Sequence, residues 1–102
     1  MIDVMVAYPN TDTLSFDDDY YLEKHAPLVN SLLGEHGLRY LRVHRQIDPQ
    51  APYHLVAHLG FDSAQRFEAA FAEVGDQLLA DIAHFTNVEP VVQANDVIDT
   101  PV

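Results

Sequence analysis

His25 is the residue in this sequence best suited to moving a proton. An imidazole titrates near neutral pH, so it can act as a general acid or a general base. Helical spacing places His25 on an apolar stripe, where burial favours the neutral ring. Tyr21 lies one helical turn earlier and can offer its phenol hydroxyl to the same ligand. We therefore predict His25 and Tyr21 as a catalytic pair.

Pro27 follows two residues later in the same helical pattern. A proline inside a helix clashes with the carbonyl four residues earlier, here that of Glu23, and costs about 3 kcal/mol unless the helix bends or restarts. Strain beside a buried imidazole is typical of functional sites. Two alternatives stay open. His25 can be a core residue that bonds the carbonyl freed by the bend, and Tyr21 a core tyrosine with its hydroxyl at the edge.

The other polar residues give no motif for a metal or a nucleotide. Of the six histidines, His54 and His58 share a strand face but lie about 13 Å apart at ~3.3 Å per residue, too far to chelate one ion. The aspartates at 17–19 suit a helix start, where they complement the dipole. No glycine-rich phosphate loop, GxSxG elbow or paired-carboxylate spacing is present. We predict no metal and no cofactor.

Length and composition indicate one folded domain over residues 1–102. The formal net charge of -11 argues against a nucleic-acid or anionic-membrane partner. The chain has no cysteine, so disulfides and thiol chemistry are excluded. No apolar run approaches the roughly 20 residues that cross a bilayer, and the start lacks the basic region of a signal peptide. The expected location is the cytoplasm.

Apolar periodicity predicts six elements that position these residues. Period-two alternation predicts strands over Ile2–Tyr8, Leu38–Ile47, Tyr53–Phe61 and Val88–Ile98. Helical spacing predicts one helix from the aspartates at 17–19 to Leu33, stopping at Gly34, and a second that Ser63 caps and Gly75 closes, with a further short turn of helix to Ile82. The order βαββαβ is that of a ferredoxin-like α+β domain with a four-stranded antiparallel sheet.

Two helices cover only one face of such a sheet. If the hairpin turn is symmetric about Gln50, the side under the helices is apolar and the other side is rich in aromatic and imidazole groups. The predicted open-face residues are Tyr40, Arg42, His44, Gln46, His54, Val56 and His58. A polar face of this kind suits the interior of a homodimer better than bulk solvent. We therefore expect the chain to pair with a second copy.

Three stretches carry a resemblance to a known family: FDDDYYLEKHAPLV, PYHLVAHLGFDS and DIAHFTNVEPVVQANDVI. They resemble the EthD family, named after a protein of ethyl tert-butyl ether degradation, over nearly the whole chain. The resemblance implies a ferredoxin-like fold that pairs into a dimeric α+β barrel. The positions that match the family motif are Tyr20, Tyr21, His25, Pro27, Asp81, Phe85 and Pro90.

The resemblance also implies an EthD-type oxidoreductase. Relatives with this barrel include oxygenases, isomerases, decarboxylases and dehydratases, so the barrel does not determine the type of reaction. The leading hypothesis is a small cofactor-independent enzyme that transfers a proton on an apolar metabolite. His25 and Tyr21 would be catalytic, and Tyr20, Pro27, Leu28 and Phe85 would contact the substrate. The alternatives are a lyase or isomerase on the same fold, or a noncatalytic accessory protein that binds the metabolite for a degradation or biosynthetic pathway.

Overall fold

The computed structural model describes residues 1–102 as a four-stranded antiparallel sheet with both long helices on one face. The strands are β1 (Ile2–Pro9), β2 (Tyr40–Arg45), β3 (Tyr53–Phe61) and β4 (Val91–Asp96), in the spatial order β2-β3-β1-β4. The helical stretch α1 (residues 18–34) joins β1 to β2, and the helix α2 (Ala64–Asp81) joins β3 to β4 through a 3₁₀ turn at Ile82–His84. The predicted ferredoxin-like fold is confirmed.

The β2–β3 hairpin has the predicted register. Leu41 pairs with Leu59 and His44 pairs with Val56, as symmetry about Gln50 requires. Because side chains alternate along a strand, this register places Leu41 and Leu59 on the same side, against the helices. The buried side of β3 accordingly contains Leu55, Ala57, Leu59 and Phe61.

α1 consists of three consecutive segments: an α-helical start at Asp18–Tyr20, a π-helical turn at Tyr21–His25, and an α-helix at Ala26–Gly34. Asp17 caps the start by accepting a hydrogen bond from the backbone N–H of Tyr20. In the π turn, the N–H of Ala26 reaches back five residues to the carbonyl of Tyr21. The helix therefore widens immediately before Pro27.

The widened turn changes which side chains of α1 are buried. The buried row runs at four-residue spacing through Tyr21, His25, Val29 and Leu33. Leu22, which the wheel of a regular α-helix predicts on the buried face, is exposed instead. Leu22 is exposed because the π turn rotates the residues around it relative to an ideal α-helix.

The predictions for the second half of the chain need two corrections. α2 continues without a break through Gly75 to Asp81, so Gly75 does not close it. A Cβ at Gly75 would lie 2.5 Å from the Phe71 ring one turn earlier, so glycine makes room for that ring. β4 begins at Val91, directly after Pro90, and is shorter than predicted because proline cannot donate a hydrogen bond to the strand ladder.

The core lies between the sheet and the helices in two adjoining clusters. The larger cluster is mostly aliphatic and includes Val4, Leu33 and the aromatic Phe61. The smaller cluster consists of Tyr8, Tyr21, Leu55 and Phe85. No helix is long and apolar enough to span a membrane.

The opposite face of the sheet is polar but internally bonded. Asp3 accepts hydrogen bonds from the hydroxyl of Tyr40 and from Nδ1 of His58, at 2.9 Å for the histidine. The ring of His44 lies 4.7 Å from that of His58. These contacts agree with the predicted composition of this face, and the homodimer that would cover it stays a prediction.

Substitution of Gly60 tests the packing on this face, and Gly34, at the end of α1, is the matched control. A Cβ at Gly60 would lie 2.1 Å from the ring of Tyr40, whereas nothing lies within 4 Å of a Cβ at Gly34. Gly60→Ala must displace the Tyr40 ring, and we expect it to lower the free energy of unfolding by about 1–3 kcal/mol. Gly34→Ala should raise it by up to about 1 kcal/mol, since alanine favours a helix. Urea unfolding measures both, and equal stability of the two variants would contradict the packing.

Candidate active site

An apolar cavity of about 70 Å³ lies between α1, α2 and the sheet. Of the 17 residues that line it, 15 are hydrophobic, and the only side chain among them that titrates near neutral pH is His25. The buried row of α1 forms one wall through Tyr21, His25 and Val29. The sheet forms the facing wall, where Tyr8 continues the apolar side of β1.

His25 is held in place from the far end of α2. The side chain of His25 is 6% exposed, and its Nδ1 lies 2.9 Å from Oδ2 of Asp81. The other oxygen of Asp81 accepts a hydrogen bond of 2.8 Å from the hydroxyl of Tyr20. The carboxylate thus joins the two ends of a Tyr20–Asp81–His25 chain of hydrogen bonds, which fixes the orientation of the imidazole.

The electrostatics keep this imidazole neutral and the carboxylate charged. Burial lowers the pKa of His25 below its ordinary value of 6.5, and this effect outweighs the hydrogen bond and charge of Asp81, which act to raise it. Burial alone would raise the pKa of Asp81, but the hydrogen bonds from His25 and Tyr20 hold that pKa below its ordinary value. At pH 7, Nδ1–H therefore donates to Asp81, and Nε2 is left as a base.

Aromatic rings surround the imidazole. The Phe85 ring lies 4.6 Å from His25 and the Tyr21 ring 5.2 Å from it, measured between centroids. Tyr8 packs edge-on against both Tyr21 and Phe85. This apolar shell limits access of water to the base, which strengthens electrostatic interactions inside the cavity.

A comparison with protein families shows which family the chain belongs to. Residues 11–89 match the EthD domain. The chain belongs to the EthD family. A solved EthD-like protein from Ralstonia eutropha JMP134 is 33% identical, with coverage of 98% of this chain and 94% of that chain and a TM-score of 0.84. The EthD resemblance noted in the sequence is therefore confirmed.

Two more distant structures share the fold of this chain. An ethyl tert-butyl ether degradation (EthD) family protein from Bacillus halodurans C-125 is 19% identical, covers 96% of this chain and 99% of that chain, and has a TM-score of 0.77. A DABB family protein with a ferredoxin-like fold from Mesorhizobium loti MAFF303099 is 16% identical over 96% and 97% of the two chains, with a TM-score of 0.60. Both likenesses concern the fold. The search of curated proteins gives no match.

The EthD chain brings together some of the predicted site residues and separates others. Tyr21 and His25 both line the cavity. Tyr20 and Phe85 lie just behind it, the first on Asp81 and the second against the His25 ring. Leu28 packs half-buried against the aliphatic core, outside the cavity lining.

Pro27 is exposed and also lies outside the cavity lining. A residue two positions after His25 points roughly 200° away around the helix, so its ring turns toward solvent. The structure therefore gives Pro27 no contact with a ligand in this cavity. The alternative in which His25 bonds a freed main-chain carbonyl is not what the structure shows, because Nδ1 is bonded to Asp81.

Two residues of the site were not predicted as site residues from the sequence. The sequence predicted Tyr8 only as an apolar strand residue. Alternation along β1 nevertheless places it with Val4 and Val6 on the side of the sheet that faces His25. Asp81 was named only as a match to the family motif. Its contact with His25 joins positions 56 residues apart, which no local spacing signals.

The remaining histidines lie away from the cavity lining. His54 bonds Asp18 at 2.7 Å, and His58 bonds Asp3 on the open face. No group of three histidine, aspartate or glutamate side chains lies close enough together to hold a metal ion. His25 is therefore the only histidine that lines the cavity.

Proposed function

We propose that this EthD-family chain is a small cofactor-independent enzyme that transfers a proton on an apolar organic molecule at His25. The observation that carries the proposal is the single imidazole in an otherwise apolar cavity, with Nδ1 held by Asp81 at 2.9 Å. Binding energy for such a ligand comes from the aliphatic and aromatic walls. The one base then determines where on the ligand a proton is removed.

The parts of the site have separate roles in this reaction. Neutral His25 accepts a proton through Nε2 and becomes an imidazolium beside the carboxylate of Asp81, which stabilises the new positive charge. Tyr21 orients a polar group of the ligand from the adjacent position on the helix. Return of the proton from Nε2 to another carbon, or to the same one, regenerates neutral His25.

The size of the cavity restricts the ligand. A cavity of about 70 Å³ is less than half the ~150 Å³ that accepts benzene in an engineered protein core. Leu79 and Val92, on α2 and on the edge strand β4, line the cavity while about half of each is exposed. A molecule of the size of benzene or cyclopentanone therefore enters only where these two side chains move apart and enlarge the cavity.

Deuterium exchange on a small apolar ketone tests the proposal. The chain is incubated with cyclopentanone in D₂O, and loss of the α-proton signal is followed by ¹H NMR. We expect exchange at least about 100-fold faster than with free imidazole at the same concentration and pH, because the cavity positions the base.

The same samples distinguish catalysis from simple binding. Chemical-shift changes of backbone amides around the cavity report binding of cyclopentanone independently of exchange. Binding with no acceleration over free imidazole would contradict the enzyme and favour the accessory binding protein. If the chain shows no binding and no exchange, that result would contradict a role of this cavity for small apolar ketones.

A further inference from the structure

Two tyrosines that line the cavity have hydroxyls with no hydrogen-bond partner within the chain. Tyr8 is 1% exposed and Tyr21 is 2% exposed, and both line the cavity. The more exposed tyrosines Tyr20 and Tyr40 each donate to a carboxylate, of Asp81 and Asp3 respectively, whereas neither cavity hydroxyl makes a hydrogen bond. A phenol hydroxyl in an apolar site normally finds a partner, because leaving it unbonded costs free energy.

Neither hydroxyl oxygen is sealed in the core. Every fully enclosed side-chain nitrogen or oxygen in the chain has a hydrogen-bond partner. The unbonded hydroxyls of Tyr8 and Tyr21 are therefore not fully enclosed, and the small accessible surface that they keep belongs to side chains that line the cavity. Both hydroxyls are available to a bound molecule.

The rings that carry the two hydroxyls lie close to each other and to His25. The rings of Tyr8 and Tyr21 lie 6.0 Å apart, edge to face, and the Tyr21 ring lies 5.2 Å from His25. Burial raises the pKa of both phenols, and the proximity of Tyr21 raises that of Tyr8 further. Both tyrosines are therefore protonated at any physiological pH and can donate a hydrogen bond.

The charge of the lining restricts what they can bind. No lysine or arginine is among the lining residues, so a carboxylate or phosphate would be buried without a counter-charge. A neutral carbonyl oxygen has two lone pairs and can accept from both phenols at once. An aliphatic hydrocarbon would leave both hydroxyls unbonded.

We propose that the hydroxyls of Tyr8 and Tyr21 together bind one carbonyl oxygen, so that the ligand of this cavity is an apolar ketone or aldehyde. This proposal rests on the proposed function for its chemistry. Nε2 of His25 removes a proton from the carbon next to the carbonyl. The C–H electron pair forms a C=C bond and the π pair moves to oxygen, giving an enolate that the two phenols stabilise. Return of the proton from Nε2 to carbon closes the cycle.

Binding of a matched pair of probes tests the two donors without relying on catalysis. The probes are cyclopentanone and methylenecyclopentane, in which a CH₂ group replaces the carbonyl oxygen, and both are titrated by NMR. Tyr8→Phe and Tyr21→Phe should each weaken ketone binding by about fivefold, the effect of one neutral hydrogen bond, and leave alkene binding unchanged.

Tyr53→Phe is the matched control, because Tyr53 lies outside the cavity lining and makes no side-chain hydrogen bond. It should bind both probes as the wild type does. Both cavity variants should fold with unchanged or slightly higher stability, since each removes a hydroxyl that no protein group bonds. A thermal melt checks this directly.

The possible outcomes separate this proposal from the proposed function. Unchanged ketone affinity in both phenylalanine variants, or an equal loss of affinity for ketone and alkene, would overturn the two-donor site even if deuterium exchange proceeds. Selective loss of ketone binding in these variants supports the site even if no exchange occurs. A large loss of stability in either variant would show that the hydroxyl has a structural partner and would also overturn the proposal.

Discussion

His25→Gln is expected to slow exchange of cyclopentanone α-protons by about 10²- to 10⁴-fold, the range that a positioned general base contributes. Glutamine preserves the polarity and much of the volume of the side chain, but it cannot accept a proton near neutral pH. Because His25 is the one group in the cavity lining that titrates in this range, no neighbour can replace it. The measurement is the exchange rate by ¹H NMR at saturating ketone.

His36→Gln is the matched control, because it makes the same chemical change outside the site. His36 lies just beyond the end of α1 and outside the cavity lining. It should exchange at the wild-type rate. The pH dependence gives a second check. The neutral form of His25 is the base, and burial places its pKa below 6.5, so the wild-type rate should be constant at pH 7–8 and fall only at a lower pH, as the pH passes through that pKa. Exchange at the wild-type rate in His25→Gln would contradict the role of His25 as the base.

The framework of the fold could be predicted because it depends on local patterns. Alternation fixed both faces of the β2–β3 hairpin, and the short link around Gln50 left one symmetric register that also placed the apolar side under the helices. The limits of the elements were less predictable. Glycine is a residue typical of helix ends, so the sequence predicts that α2 stops at Gly75. In the structure Gly75 instead leaves room for the Phe71 ring, a packing contact within one helix face.

The site itself was only partly predictable, because its key contacts are long-range. Burial of His25 followed from helical periodicity, and the structure agrees. The π turn that widens the helix between Tyr21 and His25 has no composition signal beyond the nearby Pro27. The partners Asp81 and Tyr8 come from the far end of α2 and from β1, so only the assembled fold shows that they meet His25 and Tyr21.

Asp81→Asn is expected to reduce the exchange rate by about 10- to 100-fold, less than the loss of His25, because Asp81 acts through the imidazole and does not contact the ligand. Asparagine can still accept from Nδ1–H, so the ring orientation is retained. What is lost is the negative charge beside the imidazolium that forms when Nε2 takes the proton. Asp81 is thus a positioning and charge-stabilising residue.

The pH profile separates this electrostatic role of Asp81 from a structural one. In the wild type, the hydrogen bond and charge of Asp81 raise the pKa of His25 against the larger effect of burial. Without that charge the pKa must fall further, so the decline in rate should move to lower pH in Asp81→Asn. Asp76→Asn, an exposed position on the same helix, should leave both the rate and the profile unchanged. A slower variant whose profile does not move would mean that Asp81 only supports the packing of α2 against α1, and that the base is tuned by burial alone.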